Sequence, residues 1–273
     1  MVDFQVEDKR IYQIKDRIGP DNAKGKAEEL KTKAFGLVSN LIFGAKAQDI
    51  ELKYLERRYE PFWHIICTTR LEYDRSRQYK IGVEAVVKTV TIDGKDYPAN
   101  ERILLDGVEH CVENLRKEVF IDAVTGKSGD YANYVKCEKE EISRTEELAA
   151  GDTIVVPAKV KASYLTRSML ADMLKPIEAH EITREEIRIE ALHLYFRPIY
   201  AFEYLWVAKN KAATLELDAA TLQAKPGGKT VKEKMAEIIK EADLFDIGTD
   251  VANLVVPGGG LAMKLAKRAI KKK

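Results

Sequence analysis

The sequence predicts an α+β fold: two related helix-plus-antiparallel-sheet units, with helical extensions at the N- and C-termini. Three observations predict it. The stretch YEPFWHIIC (59–67) is echoed by YFRPIYAFEYLW (195–206). Around each, apolar residues alternate with charged ones, which is the period of a half-buried strand. Ahead of each lies a segment whose apolar residues recur at helical spacing.

Taken in chain order, Asp21 can cap a helix over residues 21–43, where Ala27, Leu30, Ala34, Leu37, Val38, Leu41 and Ile42 share a face and Gly44 ends the run. Ile50, Leu52 and Tyr54 then alternate with charges, and Pro61 marks a strand edge, a bulge or a strand start. Strand segments continue over 79–92 to an Asp93-Gly94 hairpin turn. A second alternating run follows Asp106-Gly107, and the strand EVFIDAVTG (118–126) leaves through a Thr-Gly turn. SRTE (143–146) reads as a capping box without its apolar staple, because Glu147 stands where an apolar partner for Ile142 is needed. A helix is expected over 163–174, ahead of Pro176. At 183–186 a capping box with a fitting staple, Ile182 and Ile187, conflicts with the alternation of Ile187, Ile189 and Ala191, and the alternation decides for a strand. ATLELDAAT (213–221) is a further strand, KPGGKT (225–230) a loop, and 231–242 a helix.

Shifted by 137 positions, residues 49–65 lie on 186–202 without a gap. Ile50 meets Ile187, Leu55 meets Leu192 and Pro61 meets Pro198, while Phe62, Trp63 and Ile65 meet Ile199, Tyr200 and Phe202. Helix, strand, proline and hairpin recur in one order, so the expectation is an internal duplication with Trp63 and Tyr200 buried. The boundaries this implies are a first unit at 1–142, a shorter second unit at 143–228, and a helical C-terminal region at 229–273.

The 273 residues are 45% hydrophobic and 33% charged, which supports a packed core. A net charge of +1 gives no global pull toward nucleic acid. Three widely spaced cysteines do not make a disulfide framework. The N-terminal residues are charged from Asp3 onward, and no run of about 18 apolar residues occurs. The expected location is therefore cytoplasmic, and peripheral to a membrane if the tail described below acts there.

The candidate metal ligands are His64, Cys67, His110 and Cys111, two histidines and two thiols of the kind zinc accepts. Against them, neighbouring or i, i+3 positions on a regular strand face opposite ways. His180, in EAHE, reads as part of a solvated loop, and His193 as part of a strand. KPGGKT lacks the first glycine of a phosphate-binding loop, since Gln223 stands there. RLEYDRSRQYK (70–80) interleaves arginines with Glu72 and Asp74, the pattern of a solvated hairpin. The tail is the most asymmetric stretch: residues 261–273 carry six positive charges and no negative ones. On a helix, Lys264, Lys267, Arg268, Lys271 and Lys272 would form a cationic arc opposite Leu261, Leu265 and Ile270, suited to an anionic membrane surface or a protein partner.

A helix followed by an antiparallel sheet whose strand ends in a D-A-x-T turn resembles the PepSY-like and cystatin-like units of bacterial proteins. Here that turn is DAVTG (122–126) and DAAT (218–221). The resemblance covers about a third of the chain and implies a binding or inhibitory module without catalytic residues. The resulting expectation is a non-catalytic binding or scaffolding protein that self-associates, with no cofactor. The alternatives are a peripheral membrane adaptor using the basic tail and a zinc-binding module or metal-dependent enzyme.

Overall fold

The computed structural model describes residues 3–36, 46–174, 176–234 and 236. Two short strands, β1 (Asp3–Val6) and β2 (Lys9–Ile14), open the chain. Helix α1 (Pro20–Leu30) follows and tightens into a 3₁₀ turn at Lys31–Phe35. Its start is set locally. Asp16 Oδ1 accepts the amides of Ile18 and Gly19, Gly19 takes φ +72°, and Pro20 presets the first helical φ. Next come the 33-residue strand β3 (Ile50–Gly82), a small hairpin of β4 (Thr89–Ile92) and β5 (Lys95–Pro98), and β6 (Arg102–Asp122). The hairpin turns on Asp93 and Gly94, both at positive φ, as a two-residue loop between right-twisted strands requires. Then follow α2 (Ala132–Val135), β7 (Lys139–Ile142), β8 (Ile154–Val155) and α3 (Ala162–Met173). The long strand β9 (Glu181–Trp206) precedes β10 (Lys211–Asp218) and β11 (Ala224–Pro226), and residues 231–234 are helical.

Nine of these strands form one mixed sheet, with the path β11-β10-β9-β2-β7; β6 and β8 pair with β3, and β3 also pairs with β9. β1 and β2 run parallel to β9, and β10 runs antiparallel to it from Lys211↔Trp206 to Asp218↔Ile199. The fold is therefore mostly β with few short helices, which corrects the α+β expectation of two helix-plus-sheet units. Three findings explain the difference. The N-terminal extension is strand, not helix. The helix expected to cover the first sheet shares its core chiefly with the other strands: Ala23 and Ala27 of α1 lie with Tyr200, Phe202 and Tyr204 of β9 and Leu215 and Leu217 of β10, and β3 adds only its beginning, Ile50 and Leu52. Alternation also persists far longer than expected, so β3 and β9 are single strands several times the usual length.

Two compact units can be distinguished by their internal contacts. One comprises Met1–Asp8, Ile66–Glu118 and Ser163–Ala191; the other comprises Lys9–Ile65, Val119–Ala162 and Leu192–Lys273. β3, β6 and β9 contribute residues to both. In the second unit Phe62 is stacked between Tyr131 (4.5 Å) and Tyr195 (5.1 Å), and Trp63 is buried with its indole N–H donating to the Val160 carbonyl (2.9 Å). Tyr200 is buried as well and donates to Asp16. In the first unit Leu165, Met169 and Met173 form the buried face of α3.

What the two echoed stretches share is local. Ala123 N–H donates to the Pro61 carbonyl, and Ala219 N–H to that of Pro198. Asp122 Oδ1 accepts the amides of Val124 and Thr125, and Asp218 Oδ1 accepts those of Ala220 and Thr221. Each Asp carbonyl then accepts an amide four residues on, from Gly126 in one turn and Leu222 in the other, both at positive φ. Asp is needed at both turns because its short carboxylate reaches amides two and three residues ahead. Trp63→Ala removes a buried indole and leaves the Val160 carbonyl without its donor. It should cost about 3–5 kcal/mol, read as a lowered urea midpoint.

Candidate functional site

The interior of the second unit holds a set of charges that the strand pattern places on one face. Positions 56, 58 and 60 of β3 point the same way, and they are Glu56, Arg58 and Glu60. Arg58 is fully buried and donates to all three nearby carboxylates: Glu56, Glu60 (2.8 Å) and Glu216 of β10 (2.5 Å). Lys234 reaches Glu60 and Glu216 (3.0 Å), and Arg197 reaches Glu60 (2.7 Å) and lies 3.5 Å from Asp218. Tyr134 donates to Asp218 and accepts from Arg197. Backbone groups complete the set: Val231 N–H donates to Glu56 (2.8 Å) and Lys229 N–H to Glu216 (3.1 Å). Thr230 and Glu233 cap the helical turn between them through reciprocal bonds.

These contacts set the protonation states. Burial alone would raise the Glu60 carboxyl, but Arg58, Arg197 and Lys234 outweigh it and hold it far below the usual carboxylate range. Burial likewise opposes ionisation of Glu216, and Lys234 and Arg58 overcome it, leaving that carboxyl lowered. Glu56 is raised, because burial exceeds the pull of Arg58. Burial pushes the Tyr134 phenol up to about 12. Every member has a named partner, and the cluster braces the interior of this unit, with Arg58, Glu56, Glu60 and Glu216 buried and Lys234 and Arg197 partly exposed at its margin.

The sequence-based metal ligands lie on two strands. His64 is buried on β3, its ring stacked on Phe120 at 4.6 Å. Cys67, also on β3, is fully buried, and burial together with Glu190 pushes its thiol up. His110 is exposed on β6 and hydrogen-bonded through Nδ1 to Asp74 Oδ1 (2.7 Å), and Cys111 lies against the Glu109 carbonyl. None of the four belongs to the one His/Cys/Asp/Glu group among the described residues whose ligand atoms fall within 4.8 Å of one another; that group is Asp74, His180 and Glu181. The basic set Lys264, Lys267, Arg268, Lys271 and Lys272 lies outside the described residues, as does most of the 231–242 helix. Among the described residues no helix is long and apolar enough to cross a membrane.

The first unit exposes two surfaces. One is a groove of about 700 Å³ lined in part by Arg70, Arg116, Arg184, Arg188 and Glu190. Each arginine faces a carboxylate: Arg70 bonds Glu72, Arg116 lies 3.5 Å from Glu190, and Arg184 and Arg188 both reach Glu186. The groove is thereby close to neutral. The other surface is the edge of β6. Its pairing with β3 is antiparallel, because contacts run in opposite directions along the two strands: Val83 with Glu101, Gln78 with Asp106 and Asp74 with His110. Among the described residues β6 pairs with β3 alone. Leu104, Val108 and Val112 recur every fourth residue on one face of it, each 45–56% exposed. Sequence reasoning recognised the strand there but not its outer edge, which is defined by pairing that only the fold supplies.

No family model, curated protein or solved structure matches the chain.

Arg58→Met strands three buried carboxylates and should destabilise by about 3–5 kcal/mol, measured by chemical denaturation at neutral pH. The pH dependence carries its own sign. Glu60 and Glu216 are depressed, so their stabilisation is complete above the ordinary carboxylate value and lost as pH falls below about 4.5. Raised Glu56 acts oppositely and tempers the gain on the way up. The denaturation midpoint should therefore be flat near neutrality and fall steeply in acid, with a shallower acid limb in Glu60→Gln.

Proposed function

We propose that the protein is a non-catalytic binding or scaffolding protein that self-associates, and that two copies join along the outer edge of β6. The observation that carries this reading is the length of that unpaired edge together with the exposed Leu104, Val108 and Val112 beside it. An exposed strand edge offers unpaired amides and carbonyls to a second strand, and natural sheets commonly blunt such edges with proline, inward charges or bulges. From Arg102 to Glu118 the strand contains no proline, and it displays Leu104, Val108, Val112 and Leu115.

The order of residues favours a second copy of this chain as the occupant. Two β6 strands laid antiparallel about His110 set Val108 against Val112 and Leu105 against Leu115. They also set Asp106 against Asn114 and Arg102 against Glu118. No carboxylate then faces another directly, and each cross-strand apolar pair adds roughly 0.2–1 kcal/mol.

Sedimentation equilibrium tests this. The native protein should show a concentration-dependent dimer. The double variant Val108→Lys, Val112→Lys should be monomeric with an unchanged far-ultraviolet circular dichroism, because both side chains are exposed, and its thermal midpoint should no longer rise with concentration. A monomeric native protein at high concentration, or a double variant that still dimerises, overturns the reading. The register has a separate check: His110→Cys in a Cys111→Ser background should form an oxidised covalent dimer across the two-fold position.

A further inference from the structure

Asp74 gathers more around itself than a strand residue needs. It lies in β3, its backbone carbonyl accepts the His180 amide (2.9 Å), and its Oδ1 is 2.7 Å from Nδ1 of His110 on β6. His180 directly precedes β9, and Glu181 is that strand's first residue. The ligand atoms of Asp74, His180 and Glu181 all lie within 4.8 Å of one another. A second tie holds the same corner: Thr183 Oγ1 donates to the Glu72 carbonyl (3.1 Å). Four residues able to bind or orient a metal thus meet in the first unit, drawn from three strands and fixed by main-chain bonds.

We propose that Asp74, His180 and Glu181 bind one divalent transition-metal ion of the zinc type, with His110 as the positioning residue that orients Asp74. Ligand chemistry selects the ion. Imidazole nitrogen with carboxylate oxygen suits zinc, cobalt or nickel, whereas calcium and magnesium take oxygen alone, and soft ions require thiolate. The distances are close to what is needed. With bonds of about 2.0–2.2 Å, tetrahedral ligand atoms sit roughly 3.3–3.6 Å apart. His180 and Glu181 are exposed side chains, so a rotamer adjustment closes the remaining gap. The ion also relieves the repulsion between the two carboxylates. His110 completes the arrangement from behind: by holding Oδ1 of Asp74 it leaves Oδ2 for the metal, the role that a hydrogen-bond partner of a ligating carboxylate commonly fills. Three protein ligands leave the remaining coordination to water. The ion would tie β3 to the start of β9.

The test uses the full chain after treatment with a chelator, titrated with zinc by calorimetry and checked by elemental analysis after dialysis. The expected result is one zinc per chain at micromolar affinity, a zinc-dependent rise in thermal midpoint, and no response to magnesium or calcium. His180→Gln and Glu181→Gln alter exposed side chains and should abolish the binding without changing the far-ultraviolet circular dichroism. His110→Gln should weaken it about 10–100-fold. A triple variant with Cys67, Cys111 and Cys137 changed to Ser separates this site from adventitious thiol binding, and it should still take up one zinc. Retention of the zinc in His180→Gln, its loss in the cysteine variant, or no saturable uptake at micromolar free zinc would each overturn the proposal.

Discussion

A guanidinium with no solvent contact is the constraint around which the second unit is arranged. Moving an isolated ion into a low-dielectric interior costs on the order of 20 kcal/mol in the idealised limit, so Arg58 is tolerable only where carboxylates converge on it. Two of them, Glu56 and Glu60, come from its own strand face. The third, Glu216, comes from β10, and the excess negative charge then recruits Lys234 and Arg197. Asp218 joins this set to the backbone: Oδ2 takes the Tyr134 hydroxyl while Oδ1 holds the turn after β10. Neither contact can move without the other. Burying so many charges is seldom the most stable solution. It is, however, a specific one, because few alternative registers of β3 would satisfy every carboxylate.

Much of the strand content was legible in the sequence, and for physical reasons. Alternation around Ile50, Ile187 and Leu215 reports a pleated surface directly, Asp93-Gly94 can do little but turn, and Asp122 and Asp218 carry the chemistry of their own loops. Pairing was not legible, because alternation says which side of a strand is buried and not by what. The sequence predicts a helix packed on its own unit's sheet, and Ile50 does share its core, yet the small Ala23 and Ala27 also allow close approach to Tyr200 and Phe202, partners that sequence proximity does not reveal. The E-x-R-x-E pattern at 56–60 is a legible signal of same-face charges on a strand, though not of the partners that neutralise them. His180 reads as part of a solvated loop because nothing in its local sequence reveals that Asp74, more than a hundred residues earlier, lies beside it.

The interior and the exposed ribbon use polar groups in opposite ways. Around Arg58 charges are enclosed and fully partnered, which fixes a single arrangement. On β6 polar side chains brace the ribbon from both faces, Glu109 bonded to Arg75 and Tyr79 on one and Asp106 and His110 bonded to Gln78 and Asp74 on the other, while Leu104, Val108 and Val112 stand in solvent between the latter.

The long reach of the Arg58 cluster also governs when the chain can fold. Arg58 and Glu216 are separated by 158 positions, and Lys234 arrives later still. At about 5–20 residues per second of synthesis, Arg58 emerges roughly 8–30 s before its β10 carboxylate exists. During most of that interval β9 is also still to be made, so Arg58 has Glu56 and Glu60 of its own strand but not the carboxylate that β10 supplies. The pairs of β3 with β6 and β8 and of β2 with β7 use strands already made by then, whereas the buried charge set is completed only in the last part of translation, once β10 and Lys234 have been synthesised.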